Sequence, residues 1–282
     1  MTLTEFDRKR LRKSLDHVLA QAENGRYLRD DPIQFAKRYE RRDDQEVVAF
    51  IASALAYGRV SLIAGAVEEV LTWMGTHPAD WIRETELPEF RKATRHFNYR
   101  MTKHDDMFDF LCGLQGVLRL HSSLEAAFLA GGDVHLDRAI FLVDEIRNHR
   151  NSEHLNRGLR YLLPSPRDGS CTKRLHLFLR WVCRGPDEVD LGIWTRVSPV
   201  DLVAPLDTHT ARIWRYVGLT NRRTCDLKAA LEISAKLRLI APRDPLQYDF
   251  AVCHLGISGK CLHRRAIDPC SACALEPICG LD

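Results

Sequence analysis

Cys261, Cys270, Cys273 and Cys279 crowd into one short stretch, Cys261-LHRRAIDP-Cys270-SA-Cys273-ALEPI-Cys279, with spacing C-x8-C-x2-C-x5-C. Thiolates in this number can bind the irons of a cubane iron–sulfur cluster, one at each corner. The x2 link sets two ligands on one turn, and the longer links let the chain wrap the other two corners. A structural zinc ion is the rival, because four cysteine thiolates also make a tetrahedron. Zinc ribbons usually carry two CxxC pairs, whereas this stretch has one, and the spacing favours the cluster. His263, Arg264 and Arg265 lie between the first two cysteines. A basic loop held rigid by a metal suits phosphate contact, although solvated surface charge reads equally well.

These thiols need a reducing surrounding and a scaffold. The chain has 282 residues, 45% hydrophobic and 28% charged, which is a globular composition. Its formal net charge of +3 is only slightly basic, so any nucleic-acid face must be local. The stretch from Met1 to Leu19 is charged throughout and lacks the apolar core of a secretory signal. No apolar run approaches membrane-spanning length. The expected setting is a reducing cytoplasm without a membrane partner, where nine cysteines argue for metal ligation of a subset over disulfides. Cys112, Cys171, Cys183, Cys225 and Cys253 are scattered, and read as small core residues.

The elements that must position the cysteines are helices. Leu11, Leu15, Val18 and Leu19 share one helical face. Acidic residues from Asp43 open an apolar helix that runs to Tyr57 and stops at Gly58. Further helices are expected over Ser61–Met74, Asp105–His121, Ser123–Leu129, Leu136–Arg147, Cys171–Arg184, Thr208–Val217 and Leu227–Leu239. No alternating run flanked by hairpin turns marks a strand. Leu163–Gly169 and Gly185–Pro205 read as longer connections, the second as a hinge. Phe97-Asn98-Tyr99-Arg100 is an aromatic and polar cluster that would stack on a base or pack internally.

A helical chain with this cysteine tail, carrying Leu206-Asp207-Thr208-His209 at a helix start, resembles the helix-hairpin-helix DNA glycosylases. Their cluster-bearing members are endonuclease III and the MutY adenine glycosylase. The likeness runs from about Asp43 to the end and is most specific from Gly169 on. Within that superfamily the chain is most similar to a function-unassigned bacterial branch with a KRLxxFLRW helix, here Lys173–Trp181, and a PLDTH motif, here Pro205–His209. The family's first cysteine loop is two residues shorter.

The resemblance implies an all-α protein of two helical subdomains with a cleft between them. Residues 43–199 would form a helical barrel with the hairpin motif. Residues 1–42 and 200–282 would form the subdomain that carries a [4Fe-4S] cluster on Cys261, Cys270, Cys273 and Cys279. Gly169-Ser170-Cys171-Thr172-Lys173 takes the place of the family's Gly-x-Gly-x-Lys hairpin, with Cys171 where the second glycine stands. Lys173 then occupies the nucleophile position and Asp207 the catalytic carboxylate position. A carboxylate stabilises the oxocarbenium-like sugar as an N-glycosidic bond breaks, although an Asp before a helix is also an ordinary N-cap. The lysine must be neutral to attack C1′, so burial or nearby cations such as Arg174 and Arg180 would have to lower its pKa.

The base must leave the stack, and a side chain must fill the gap. Tyr57 or Arg59 would serve, on the turn after the apolar helix. Ser170, Arg212, Arg264 and Arg265 are the expected DNA contacts, with Trp194, Arg215, Arg222 and Arg223 around the aspartate helix. The expected function is excision of a damaged or mispaired base from double-stranded DNA, with abasic-site lyase activity, by a monomer in the cytoplasm at the nucleoid. The alternatives are a water-using monofunctional glycosylase and a non-catalytic binder of damaged nucleic acid.

Overall fold

Caps and apolar periods in the sequence set the architecture, seen here in a computed structural model that describes residues 3–22 and 24–281. Residues 1, 2, 23 and 282, which fall in the expected terminal subdomain, lie outside the described residues. In α1 (Glu5–Ala20) the Thr4 hydroxyl accepts from the Asp7 N–H and the Asp7 carboxylate accepts from the Thr4 N–H, a reciprocal cap. Leu11, Leu15 and Val18 are buried on one face. Two short turns, α2 (Asn24–Leu28) and α3 (Ile33–Ala36), lead into α4 (Arg42–Leu55), which is buried at every residue from Glu46 to Leu55. There follow α5 (Val60–Met74), α6 (Pro78–Glu84), α7 (Leu87–Thr94), α8 (His104–His121), α9 (Leu124–Ala130), α10 (His135–Asn148) and α11 (Arg157–Leu162). The set is completed by α12 (Lys173–Cys183), α13 (Thr208–Tyr216), α14 (Leu227–Ile240), α15 (Asp249–Ile257) and α16 (Ile267–Ser271).

The protein is therefore mostly helical, as expected. The expected helices all form, with ends shifted by one or two residues, except that α4 stops at Leu55 and leaves Ala56 and Tyr57 in the turn before Gly58. Gly58 has φ 105, and a Cβ there would also press on the Arg100 side chain. Helices α6, α7 and α11 are short. Helix α15 is apolar on nearly all sides and shows no stripe to read. One small hairpin was not expected: β1 (Asn98–Tyr99) pairs antiparallel with β2 (Thr102–Lys103), and Arg100 turns between them at φ 53. Strands of two residues are too short to alternate visibly. Phe97 and Tyr99 are buried, so the two aromatic rings of this cluster pack internally, while Asn98 and Arg100 are exposed.

Helix α4 is the central element, packed against α3, α5, α6 and α12. Helix α8 carries a second layer, touching α6, α7, α9, α10 and α11. Helix α1 lies against α14, α15 and the turn at Glu276–Ile278, while α13 packs on α15. The buried Glu46 joins three segments: its two oxygens accept from Leu124 N–H and Glu125 N–H, each at 2.9 Å, and Oε1 also accepts from Trp194 Nε1 at 2.6 Å. Burial pushes the Glu46 carboxyl up, against the pull of these three donors. Trp194 is thus a core residue held by Glu46 and not part of a basic face. Among the described residues no helix is long and apolar enough to cross a membrane.

His135 and His176 sit in the interior, and among the described residues neither ring nitrogen of either has a hydrogen-bond partner. Burial pushes His176 down to about 3 and His135 down to about 4. Both rings are therefore neutral when folded, while in the unfolded chain they take up protons below about 6.5. The unfolded state then binds more protons between about pH 6.5 and 4, so stability is present above that window and is lost as pH falls through it. His176→Leu should flatten the decline in urea midpoint between pH 7 and 4.5; a slope unchanged from wild type would exclude His176 as its source.

Candidate active site

Two helix starts bring the chemistry together. Lys173 is the first residue of α12 and Asp207 is the N-cap of α13. Asp207 Oδ1 accepts from His209 N–H at 2.9 Å and Thr210 N–H at 2.8 Å, as a capping carboxylate should. Asp207 Oδ2 accepts from Lys173 Nζ at 2.6 Å. The residue is thus a cap and a partner for the lysine at once, one oxygen for each task. Both side chains retain partial exposure, 31% for Lys173 and 24% for Asp207, on the wall of a cavity of about 460 Å³.

The charge state of the pair follows from these neighbours. Burial would pull the Lys173 ammonium down, but Cys253, once its sulfur is ionised, and the Asp207 carboxylate prevail and hold it above the ordinary lysine range. Burial would raise Asp207, but Lys173 and the Thr210 donors keep it below the ordinary range. The resting state is an ammonium–carboxylate pair. The expected depression of Lys173 by neighbouring cations is not found, because those cations are engaged elsewhere. Arg174 donates to the carbonyls of Ala54 and Tyr161 and lies over the Tyr57 ring at 4.8 Å. Arg180 is buried against Asp190 and Asp249.

The cavity also takes residues that the sequence did not single out. Tyr27 and His254 stack on its wall with ring centroids 4.3 Å apart. The wall also includes Asp30, Asp31, Asp249 and Cys253. Cys253, read as a small core residue, is therefore a neighbour of Lys173, and burial pushes its thiol up to about 12. Ala56, Gly58 and Val60 bring the turn after α4 to the same cavity. In that turn Tyr57 is directed inward: its hydroxyl meets the Tyr99 carbonyl at 3.0 Å and Thr102 Oγ1 at 2.7 Å. Its ring packs against Tyr99 and Tyr161. Arg59, two residues on and the N-cap of α5, is exposed, followed by half-exposed Val60 and Leu62.

The hairpin position is a turn with its own geometry. Gly169 has φ 75, and its carbonyl accepts from Leu227 N–H at 2.9 Å. Ser170 is exposed and pairs antiparallel with Asp226. The left-handed residue nearest α12 is Thr172, at φ 36, and Cys171 does not have positive φ. Position 171 thus accommodates a side chain without backbone strain. Arg212, Arg264 and Arg265 are exposed, with Arg265 paired to Glu276 at 2.8 Å. Arg215 instead donates to the carbonyls of Arg222 and Arg223, and Arg222 pairs with Asp226 at 2.6 Å.

The four tail cysteines line one small cavity with Ile213, Tyr216 and Leu275, and all four are free, partly buried thiols. Their mutual proximity adds to burial in raising Cys261 and Cys273. Among the described residues no three His, Cys, Asp or Glu side chains converge closely enough to hold a metal as they stand. The donor set itself, four thiols without a disulfide partner, fits a four-thiolate site. The loop that carries them reaches the pair: His263 Nε2 lies 3.2 Å from His209 Nδ1, two residues beyond Asp207.

Fold and site together define a helical protein with a lysine–aspartate pair in a cavity and a thiol-rich tail packed beside it. The chain belongs to the family described as protein of unknown function (DUF2400), which it matches over residues 31–258. No curated protein and no solved structure was found to match it.

Replacing Asp207 by Asn keeps a good helix cap but removes the negative charge beside Lys173. The Lys173 ammonium should then titrate at lower pH than in wild type, with little change in melting temperature. Titration of the lysine amines by NMR would detect it, and an unshifted Lys173 would show that Asp207 does not set its charge. Anaerobic incubation with ferrous iron and sulfide should give a brown protein with about four irons per chain. Cys273→Ser should lose that colour, whereas a colourless zinc-loaded protein would settle the rivalry for zinc.

Proposed function

We propose that this protein is a DNA-repair glycosylase of the helix-hairpin-helix kind, excising a damaged or mispaired base with abasic-site lyase activity through Lys173. The observation that carries the reading is the Lys173–Asp207 pair, 2.6 Å apart across a separation of 34 residues, on the wall of a cavity. A pure binder needs neither group in this relation. The packing of α1 on α14 and α15, and of α13 on α15, supports grouping these helices in one subdomain, with the cavity beside α12 as the cleft. Cys261, Cys270, Cys273 and Cys279 would hold the [4Fe-4S] cluster. Once bound, it would brace the His263–Arg265 loop.

In this reading a flipped nucleotide enters beside the pair. The carboxylate of Asp207 stabilises positive charge on the sugar as the bond from C1′ to the base breaks. The resting ammonium must first give up a proton, and Asp207 Oδ2 is the acceptor already in contact. The neutral Nζ bonds to C1′ as the base leaves with the bonding electrons and takes the proton from Asp207, which restores the carboxylate; a proton then passes from Nζ to the ring oxygen, the bond from C1′ to that oxygen breaks, and a Schiff base results. Loss of a 2′ proton then expels the 3′ phosphate. Arg59 is the candidate to fill the gap in the stack, since Tyr57 is engaged inside the protein. Ser170, Arg212, Arg264 and Arg265 would contact phosphates. The partner is double-stranded DNA containing a lesion, and the site of action is the cytoplasmic nucleoid.

The ammonium state of Lys173 favours one second reading, a water-using glycosylase in which Lys173 binds phosphate and Asp207 activates water. Borohydride trapping separates the two. Cluster-loaded protein incubated with duplexes carrying an abasic site, or oxidised, deaminated or alkylated bases, should give a covalent band that Lys173→Ala abolishes. Asp207→Asn should slow excision by roughly 100-fold or more, the scale of a lost general base. Breaks revealed only by alkali and dependent on Asp207 would mean the water-using enzyme. Tight DNA binding with neither signal would leave only a damage-binding protein.

A further inference from the structure

Two cysteines outside the tail lie face to face where the turn before α12 meets the segment before α14. Cys171 Sγ and Cys225 Sγ are 3.6 Å apart, 54 residues distant in sequence, and both are partly exposed. Their backbones are already in register. Ser170 pairs antiparallel with Asp226, and Leu227 N–H donates to the Gly169 carbonyl at 2.9 Å. This bridge is isolated, but its register opposes 171 to 225, and opposed residues of an antiparallel pair have Cα atoms about 4.5–5.5 Å apart. That spacing falls inside the range a disulfide spans, about 4.4–6.8 Å. A bond therefore needs side-chain rotation and no rearrangement of the chain.

The surroundings also suit oxidation. Cys171 lies two residues before Lys173, at the start of an eleven-residue helix. Its thiol is pulled down to about 7, first by the Cys225 thiol and then, against burial, by the Lys173 N–H. Its S–H also points to the Leu206 carbonyl at 3.4 Å, one residue before Asp207. Cys112 and Cys183, by contrast, are buried in the core, and burial raises both.

We propose that Cys171 and Cys225 form a peroxide-oxidisable dithiol whose disulfide fastens the turn before α12 to the segment before α14, beside the Lys173–Asp207 pair. The Cys171 thiolate attacks one oxygen of hydrogen peroxide, the O–O bond breaks, and a sulfenic acid and hydroxide result, the hydroxide taking up a proton to become water. The Cys225 sulfur then attacks the sulfenyl sulfur: an S–S bond forms, the S–O bond breaks, and a second water leaves. Two thiols lose two electrons in total and peroxide gains them. The disulfide removes the sulfhydryl donor facing Leu206, so the change is felt at the residue adjoining Asp207. A thiol reductant reverses it. The site does not depend on the glycosylase reading.

The full chain would be exposed to hydrogen peroxide, quenched with N-ethylmaleimide, digested without reduction and mapped by mass spectrometry. The expected product is one cross-linked peptide joining Cys171 to Cys225, formed while Cys112 and Cys183 remain reduced, and lost on adding dithiothreitol. Cys171 should react roughly fivefold faster than a cysteine of ordinary pKa at pH 7. In Cys225→Ser the same first oxidation should stop at a sulfenic acid that dimedone traps. Overoxidation of Cys171 to the sulfinic acid in wild type without the cross-link would overturn the proposal. So would a cross-link no faster than oxidation of Cys253. Wild-type mapping decides the matter even if the serine variant does not fold.

Discussion

A guanidinium with almost no access to solvent sits beneath the candidate site. Arg180 donates to Asp249 at 2.6 Å and to Asp190 at 3.2 Å, with each of the three side chains no more than 4% exposed. Taking such charges out of water costs several kcal/mol per ion, and the pairing offsets this only while each partner is present. The triad ties α12 to α15 and to the connection after α12. Arg184 extends it through Asp187, Asp190 and Asp244. Lys173 stands at the other end of α12, two turns before Arg180. The position of the lysine is thus set by a buried electrostatic contact on its own helix, and Asp249 serves both the network and the cavity wall.

This arrangement explains why the resting lysine is charged. The cations that would have repelled its proton are used to hold the scaffold, and the groups left facing it are Asp207 and Cys253. In the proposed reaction the proton held between Nζ and the carboxylate would have to move before the amine attacked. Asp207 would remain in place during that change, because Oδ1 is bound to two backbone donors of α13. A cap with its second oxygen turned to the lysine would keep its geometry through such a transfer.

Much of this fold was legible in the sequence, and the failures have physical causes. The amphipathic helices announce themselves, since a buried stripe repeats at 3.6 residues, as Leu11, Leu15 and Val18 do in α1. Helix α15 did not, because its residues are apolar on nearly all sides. Its contribution to the cavity, through Asp249, Cys253 and His254, was missed with it. Asp207 was legible from its helix start, and Lys173 only from the hairpin likeness. Between Tyr57 and Arg59 the sequence could not choose, because nothing local reports that Tyr99 and Thr102, brought by the β1–β2 hairpin, would capture the Tyr57 hydroxyl. Trp194 looked like a companion of surface arginines, yet a carboxylate 148 residues earlier takes its indole N–H. The pairing of Cys171 with Cys225 was likewise invisible, since register between distant segments is not written in either one.

Helix α1 closes against the latest parts of the chain. Tyr248 donates to Asp16 across 232 residues, and Arg10 reaches the Pro277 carbonyl across 267. On the ribosome, where domains tend to fold in the order they emerge, α1 must wait with its apolar face uncovered until α14, α15 and the cysteine tail have been made. The layers around α4 and α8 have all their partners much sooner. The cavity wall around Tyr27 and His254 is therefore among the last parts to close, and an unfinished chain would hold Lys173 without the surface that encloses it.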